Sequence, residues 1–295
     1  MSFPFHYDHG APLVFGGALP RPRSFEESRA VVLPIPVDRT TSYVPGTRNG
    51  PREILQASSH MELWDEELGV DVHDVGIFTL PEMELPFGEM APLVAEIQRV
   101  ASEILARNKF LVTLGGEHSI TPPLVAAAAA RHPGLSVLQI DAHADLRDSY
   151  MGTPHNHACA MRRSLEYAAT TQVGIRSLSS GEAAIARSLN TTIFYDATMR
   201  RDPDWIDRVV ETLKDPVYIT IDVDGLDPAI MPATGTPEPG GLSWYETLAL
   251  LRAAITRRRV VGCDVVELSP IPGLLAPNFL CAKLVYKILT YRFAR

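Results

Sequence analysis

The chain has 295 residues, 46% of them hydrophobic, and a formal net charge of −8 at pH 7. This acidic balance, with no basic stripe along the sequence, argues against a nucleic-acid-binding protein. The arginines at 257–259 precede a predicted strand, and we interpret them as cations at the end of a helix. No linker-like tract divides the chain, so we expect a single domain over residues 1–295, with an irregular N-terminal extension over 1–29.

Three cysteines, Cys159, Cys263 and Cys281, lie far apart and form no CxxC pair. An odd and sparse set of this kind argues against a disulfide framework or a zinc ribbon. The first residues lack the basic region and apolar core of a signal peptide, and no apolar run approaches the roughly 20 residues that span a bilayer. We therefore expect a cytoplasmic protein with no membrane partner.

Short apolar runs alternate with segments of helical periodicity along the chain. In chain order they predict a strand at Ala30–Ile35, a helix at 91–106, a strand at 110–114, a helix at Thr121–Arg131, strands at Ser136–Ile140, 172–175 and 192–195, a helix at 204–213, a strand at 217–221, a helix at 243–256, a strand at Val260–Val266 and a helix at 278–291. Apolar strands separated by helices indicate a parallel sheet that is buried on both faces. The sequence therefore predicts an α/β fold, with three α/β/α layers and a mostly parallel central sheet. A TIM barrel is the alternative, and the uneven strand–helix repeat disfavours it.

Charged side chains follow closely after three of the predicted strands. Alternate residues of an extended chain point the same way, and parallel sheets bind ligands at the carboxyl ends of their strands, so we expect these side chains to converge. Carboxylates at that density repel each other unless a cation lies between them. The candidate metal ligands are His118, Asp141, His143, Asp145, Asp222 and Asp224.

The number of candidate ligands favours two divalent ions over one. A single zinc ion needs three or four protein ligands, whereas this set contains six. Four carboxylates with two imidazoles form an oxygen-rich set that suits Mn²⁺ better than thiophilic ions. In the alternative interpretation the aspartates cap helices and the histidines are ordinary core groups, but that leaves buried charge uncompensated.

Four ordered motifs connect the chain to a known family. They are Gly115-Gly-Glu-His118, Asp141-Ala-His-Ala-Asp145, Asp222-Val-Asp-Gly-Leu-Asp-Pro228 and Gly235-Thr-Pro-Glu-Pro-Gly-Gly241. Together they resemble the ureohydrolase family of arginases and agmatinases, from about residue 36 to the C-terminus. The segment 41–51 is also similar to bacterial agmatinases. The resemblance implies an arginase-like fold with its metal site at the strand carboxyl ends.

The resemblance implies two Mn²⁺ ions per chain, which would activate a water molecule at neutral pH. Asp141 and Asp222 would bridge the two ions. The remaining ligands would be His118 and Asp145 for the first ion, and His143 and Asp224 for the second.

Two further residues take catalytic roles by resemblance. Glu267 would accept hydrogen bonds from the guanidinium group of the substrate, whose planar fork of N–H donors suits a carboxylate. His157 would carry a proton to the leaving amine, and His155 is the alternative for that role. Agmatinases usually have serine before this histidine, whereas this chain has Asn156, which leaves the orientation of His157 open.

The substrate implied by the resemblance is a small cationic guanidino compound. The loop at 148–157 lacks the pattern with which arginases recognise an α-amino acid, so agmatine, giving urea and putrescine, is the first choice. Guanidinobutyrate is the second and formiminoglutamate the third. A catalytically inert paralogue and a one-zinc deacylase are the alternatives from other classes. The resemblance also implies a homo-oligomer, a trimer or a hexamer. Arg176 and Glu238 receive no catalytic role.

Overall fold

A computed structural model describes residues 13–17 and 24–294. The predicted N-terminal extension at 1–29 therefore falls partly on residues 1–12 and 18–23, which lie outside the described part. The strands are β1 (Ala30–Ile35), β2 (Trp64–Asp65), β3 (Val70–Asp71), β4 (Ile77–Thr79), β5 (Phe110–Gly115), β6 (Ser136–Ile140), β7 (Ala169–Ile175), β8 (Thr191–Tyr195), β9 (Val217–Asp222) and β10 (Val260–Val266). The helices are α1 (Gly50–Ser58), α2 (Met90–Leu105), α3 (Thr121–Arg131), α4 (Ala160–Ser164), α5 (Ser180–Ala186), α6 (Asp196–Met199), α7 (Trp205–Thr212), α8 (Trp244–Arg257) and α9 (Ala276–Phe293).

Eight strands form one open sheet in the order β4-β1-β5-β10-β9-β6-β7-β8, and every neighbouring pair in it is parallel. Strands β2 and β3 form a separate antiparallel pair. The prediction of a mostly parallel central sheet is confirmed. The TIM-barrel alternative is wrong, because β4 and β8 are edge strands that do not pair with each other.

Two hydrophobic cores lie on opposite faces of the sheet, so the fold has three layers. Along β1, Ala30 and Val32 belong to one core, while Val31 and Leu33 belong to the other. This alternation is what a strand covered on both faces requires. Helices α1, α7, α8 and α9 pack on the first face, and α2, α3 and α4 pack on the second.

Most predicted elements are present, with ends shifted by a few residues. Strand β7 begins at Ala169 rather than 172, and α9 begins at Ala276 rather than 278. The sequence analysis missed β4, the β2–β3 pair, α1 and the short helices α4 to α6. Helix α1 opens with Gly50-Pro51, which is typical of a turn, although proline is also favoured in the first turn of a helix. No helix within 13–17 and 24–294 is long and apolar enough to cross a membrane.

Candidate metal centre

The carboxyl ends of four adjacent central strands carry the candidate site. Asp141 follows β6, Asp222 is the last residue of β9, Glu267 follows β10, and His118 lies three residues beyond the end of β5. Because the strands are parallel neighbours, their ends meet at one edge of the sheet. The structure thus brings together residues that are more than a hundred positions apart in sequence.

His118 faces three carboxylates in the first of two ligand groups. Its Nδ1 atom lies 3.2 Å from Asp141 Oδ2, 3.0 Å from Asp145 Oδ2 and 3.4 Å from Asp222 Oδ2. All four side chains are buried. No hydrogen-bond partner for this nitrogen is found among the described residues. An imidazole nitrogen aimed at three carboxylate oxygens requires a cation or a proton between them.

His143 belongs to a second group that shares Asp141 with the first. Its Nδ1 atom lies 3.0 Å from Asp224 Oδ2 and 3.7 Å from Asp141 Oδ1. The ligand atoms of Asp141, His143 and Asp224 lie close enough together to hold one ion, as do those of His118, Asp141 and Asp145. The two oxygens of Asp141 therefore point toward different groups, which is the arrangement of a bridging carboxylate.

Strand alternation is not the reason that these ligands converge. Strand β6 ends at Ile140, and Asp145 has a positive φ of 52°, so residues 141–145 are not extended. The carboxylates instead fold back on their own backbone, since Asp141 Oδ1 accepts the His143 N–H at 2.6 Å and Asp222 Oδ1 accepts the Asp224 N–H at 3.0 Å. The predicted set of residues converges, but local turns rather than pleating bring its members together.

The pKa values of Asp222 and His143 indicate that positive charge strongly stabilises the two ligand groups. Burial raises the pKa of Asp222 well above its usual range, and the charges of Asp224 and Asp141 add to this. Burial opposes protonation of His143, but the charges of Asp224 and Asp141 outweigh it and raise its pKa to about 12. Protons would therefore occupy this cluster at neutral pH in the absence of a metal ion.

A chain of hydrogen bonds behind His118 fixes its ring. His118 Nε2 lies 3.0 Å from Thr220 Oγ1, and the Thr220 hydroxyl donates to Asp264 Oδ1 at 2.6 Å. Because the threonine hydrogen is directed to the carboxylate, its oxygen accepts the hydrogen on Nε2. The lone pair of Nδ1 is then directed at the cluster, as a metal ligand requires.

We predict that Thr220→Val weakens metal binding by about 10- to 100-fold, because it removes the acceptor that orients His118. Competition with a chromophoric chelator measures this affinity. Thr121→Val is the matched control, since Thr121 also donates to Asp264, at 3.2 Å, but does not bond to His118. An equal loss of affinity in both variants would assign the effect to Asp264 rather than to the histidine.

A cavity of about 290 Å³ opens onto the ligand groups. Its wall includes Asp222, Asp224, Glu267 and His157, but not His155. Glu267 is 7% exposed and has a positive φ of 66°, a conformation that is costly for a residue with a side chain and is common at functional sites. Its Oε1 atom accepts the backbone N–H of His118 at 2.7 Å, and this bond connects Glu267 to the first ligand group. Burial raises the pKa of Glu267 well above its usual range.

His157 begins a short 3₁₀ helix over His157–Cys159 that Asn156 caps. Asn156 Oδ1 accepts the Ala158 N–H at 3.0 Å, so asparagine performs the capping here. The His157 ring lies edge-on to Tyr150, with ring centroids 6.4 Å apart. His157 Nε2 lies 3.4 Å from the hydroxyl of Ser42, which also lines the cavity.

Arg176 holds two loops together through backbone contacts. Its guanidinium donates to the carbonyl oxygens of Asp224 at 2.7 Å, Glu238 at 2.9 Å and Pro239 at 3.0 Å. Any side chain at Gly241 would come within 2.8 Å of this guanidinium, and the glycine φ of 104° is itself unfavourable for other residues. Arg176 therefore fixes the glycine-rich loop beside the candidate metal ligand Asp224.

Glu238 and Thr236, from that loop, reach the second ligand group. Glu238 Oε1 lies 3.9 Å from His143 Nε2, and the Thr236 hydroxyl donates to Asp224 Oδ2 at 3.3 Å. Four residues to which the sequence analysis gave no role also support the site: Thr40, Glu117, Thr220 and Asp264. Only Glu117, inside the first motif, carried a signal in the sequence.

Comparison with known proteins agrees with this geometry. Residues 28–290 match the model of the Arginase family. An N(1)-aminopropylagmatine ureohydrolase of Synechocystis sp. is 40% identical over 276 residues, which are 91% of this chain and 90% of that protein. An agmatinase of Bacillus cereus is 36% identical over 261 residues, covering 84% and 86%. The agmatine ureohydrolase of Thermoplasma volcanium superposes with a TM-score of 0.84 at 33% identity, covering 92% of each chain. The resemblance inferred from the motifs is confirmed, and the chain belongs to the arginase family of ureohydrolases.

Proposed function

We propose that this chain is a dinuclear manganese hydrolase that cleaves the guanidino group of agmatine to urea and putrescine. The observation that carries the proposal is the shared carboxylate of Asp141, which joins two ligand groups at the wall of one cavity. Glu267 and His157 line the same cavity. A pseudoenzyme would be expected to lack at least one of these groups, and an enzyme with one zinc ion would need only one ligand group.

The ligand set fits two Mn²⁺ ions. His118, buried and with its Nδ1 aimed at three carboxylate oxygens, would bind the first ion together with Asp145, and His143 would bind the second with Asp224. Asp141 and Asp222 would bridge them. When bound, the ions supply the Lewis acidity that makes a water molecule nucleophilic at neutral pH. They also favour the ionised forms of the carboxylates around them.

Two residues of the cavity wall, Glu267 and His157, bind the substrate and transfer the proton. The ionised carboxylate of Glu267 accepts hydrogen bonds from the guanidinium and holds its central carbon toward the metal cluster. Imidazole takes up and releases protons near neutral pH, so His157 delivers a proton to the leaving amine. The strained backbone of Glu267 and its bond to the His118 N–H fix the carboxylate before substrate arrives.

The second candidate substrate is N(1)-aminopropylagmatine, in which an aminopropyl group extends the agmatine chain. Relatives with that printed name, from Synechocystis and from two Thermus thermophilus strains, are 40%, 39% and 38% identical over more than nine-tenths of this chain, against 36% for the Bacillus cereus agmatinase. Both compounds present the same guanidino group to Glu267 and differ only in the tail. The chemistry at the metal cluster is therefore the same for either substrate.

Urea release tests the proposal. Mn²⁺-loaded protein is assayed with agmatine, N(1)-aminopropylagmatine, arginine and 4-guanidinobutyrate under one set of conditions. We expect the highest kcat/KM for agmatine, and a higher value for the aminopropyl compound would move the substrate to the second candidate. The matched control is Glu267→Gln, which keeps the shape of the side chain and loses the charge that pairs with guanidinium. Absence of urea from all four compounds, with two ions bound per chain, would contradict the proposal.

Two further expectations concern the setting of the enzyme. A cytoplasmic location and a homo-oligomeric assembly stay predictions, which cell fractionation and light scattering test.

A further inference from the structure

Glu117 is a fully buried carboxylate to which the proposed reaction gives no part. It lies between β5 and the metal ligand His118, facing the loop that follows β1. Its Oε2 atom accepts the backbone N–H groups of Arg39 and Thr40, each at 2.7 Å. Its Oε1 atom accepts the Thr40 hydroxyl at 2.9 Å and the Ser119 hydroxyl at 2.6 Å. Two N–H groups and two hydroxyls thus all donate to this carboxyl group.

The hydroxyl of Thr40 links this carboxylate to His157. A hydroxyl has one hydrogen and two acceptor positions. The hydrogen is directed to Glu117, and the oxygen lies 3.0 Å from the His157 backbone nitrogen, which donates to it. The same oxygen lies 3.3 Å from His157 Nδ1. With its single hydrogen already given to Glu117, Thr40 can only accept from Nδ1.

This direction decides which ring nitrogen of His157 carries the hydrogen in the neutral form. If Nδ1 carries the hydrogen, it donates to the second acceptor position of the Thr40 hydroxyl. If Nδ1 has no hydrogen, its lone pair and a lone pair of the Thr40 oxygen face each other and repel. The hydrogen is therefore on Nδ1, and Nε2, on the side of the cavity residue Ser42, keeps the lone pair that takes up and releases the transferred proton.

We propose that Glu117 and Thr40 are positioning residues that hold His157 as the Nδ1–H tautomer, with Nε2 as its proton-transfer atom. This inference rests on the proposed function only for the role of His157 as proton carrier. The tautomer itself follows from the hydrogen bonds. Three elements distant in sequence thus act as one unit: the motif that ends at His118, the loop after β1 and the 3₁₀ helix that begins at His157.

The tautomer is measured directly by ¹⁵N NMR on histidine-labelled full-length protein, with the diamagnetic ion Zn²⁺ in the ligand cluster. Spectra are taken over a pH series up to about 8.5, so that the neutral form of the ring is identified in the measurement itself. The signals of His157 are those that disappear in His157→Gln. We expect the coupling pattern of an Nδ1–H imidazole in the unaltered chain.

Glu117→Gln gives the sharpest test, because the amide is expected to reverse the direction of the hydrogen bonds from residue 117 through Thr40 to His157. The two backbone N–H groups need an acceptor, so the amide oxygen faces them and the amide nitrogen faces the hydroxyls. The nitrogen then donates to Thr40, whose hydrogen turns to His157 Nδ1, and the tautomer changes to Nε2–H. Thr40→Val is expected to lose the Nδ1–H preference, and Thr40→Ser, which keeps the hydroxyl, is expected to retain it.

Kinetics give an independent readout. In Thr40→Val and Glu117→Gln we expect kcat to fall by about 10- to 100-fold with KM within about twofold, since positioned acid–base groups contribute roughly 10²–10⁴-fold and the substrate contacts are unchanged. Thr40→Ser should restore most of kcat. Metal content is measured in each variant, because Glu117 adjoins His118, and only variants that keep two ions per chain are compared.

The outcomes separate this inference from the proposed function. An Nε2–H tautomer in the unaltered chain, or an unchanged tautomer in both Thr40→Val and Glu117→Gln, would overturn the inference even if urea is released. Absence of urea from every guanidino substrate would overturn the proposed function while the tautomer result still stands.

Discussion

Replacement of Asp141 by asparagine is expected to release both metal ions and to lower ureohydrolase activity by about 10³-fold or more. Asp141 is the residue common to both ligand groups, with Oδ2 facing His118 and Oδ1 facing His143. Asparagine has a single uncharged oxygen in place of two carboxylate oxygens, so it cannot serve both ions and binds either one more weakly. Removing a single electrostatic group at a reacting centre costs about 10²–10³-fold, and here the catalytic ions are lost as well.

The measurement is metal content per chain by elemental analysis, together with urea release. Asp145→Asn is the matched control, because Asp145 belongs to the first group alone. We expect that control to lose the ion near His118 and keep about one ion per chain. If Asp141→Asn retains two ions and normal turnover, Asp141 does not bridge the ligand groups, and the proposed metal centre is wrong.

The convergence of the candidate ligands could be predicted from sequence, because each candidate lies within a few residues of a strong strand signal. Short apolar runs located the ends of β6 and β9, and the order of parallel strands makes those ends meet. The prediction that strand alternation aligns these side chains is wrong for residues 141–145, because β6 ends at Ile140 and Asp145 has a left-handed backbone that hydrophobic periodicity does not reveal. The sequence therefore predicted which residues converge but not how the chain turns to bring them there.

The supporting residues were not accessible because their partners lie far away in sequence. Glu117 bonds to Thr40 across 77 positions, and Thr220 reaches His118 across 102. A single sequence contains no signal that pairs such positions. The secondary-structure elements were missed for a different reason. Strand β4 has only three residues, and α1 has nine, of which the first two, Gly-Pro, are typical of a turn. Neither segment contains a hydrophobic periodicity long enough to predict an element.

Substrate identity is another feature that the sequence left open. In the proposed function the guanidino end is bound by Glu267, a role that was inferred from resemblance to the family. Other residues of the cavity wall include Arg147 and Tyr150, which lie on a loop, and Glu182, which lies in α5, and the sequence does not indicate which of them would contact the substrate tail. Loops vary in ways that motifs do not report. The relatives named for agmatine and for aminopropylagmatine differ by only a few per cent in identity to this chain, so overall identity does not separate the two substrates.

Removal of the metal ions is expected to lower the melting temperature, by an amount that grows as the pH rises. At a free metal concentration of about 100 Kd, binding contributes about 2.7 kcal/mol per ion, so we expect a decrease of about 5 °C or more near neutral pH. The pH dependence follows from the protons that replace the ions. In the metal-free protein, burial opposes protonation of His143, but the charges of Asp224 and Asp141 outweigh it and raise its pKa to about 12.

Whether the stability of the metal-free protein rises or falls with pH depends on whether the folded or the unfolded state binds more protons. A group whose folded pKa is raised contributes stability that is complete below its unfolded pKa and is lost as the pH rises toward its folded pKa. For His143 that window runs from about pH 6.5 to about 12, and the raised pKa of His118 acts in the same direction. Each extra proton held by the folded state costs about 1.4 kcal/mol per pH unit. The lowered pKa of Asp141 acts oppositely, but only below about pH 4.

The stabilisation by bound metal changes with pH in the opposite direction from the stability of the metal-free protein. Each ion displaces protons when it binds, so metal affinity rises with pH. The melting temperature is measured at about pH 6.5, 7.5 and 8.5, with Mn²⁺ and after removal of metal verified by elemental analysis. We expect the metal-free curve to fall across this range and the difference between the two curves to widen. Asp141→Asn, which should not retain the ions, is the control and should show almost no difference. A metal-free protein as stable as the loaded one at about pH 8.5 would show that the buried carboxylates do not depend on a cation, and the charge argument for the metal centre would fail.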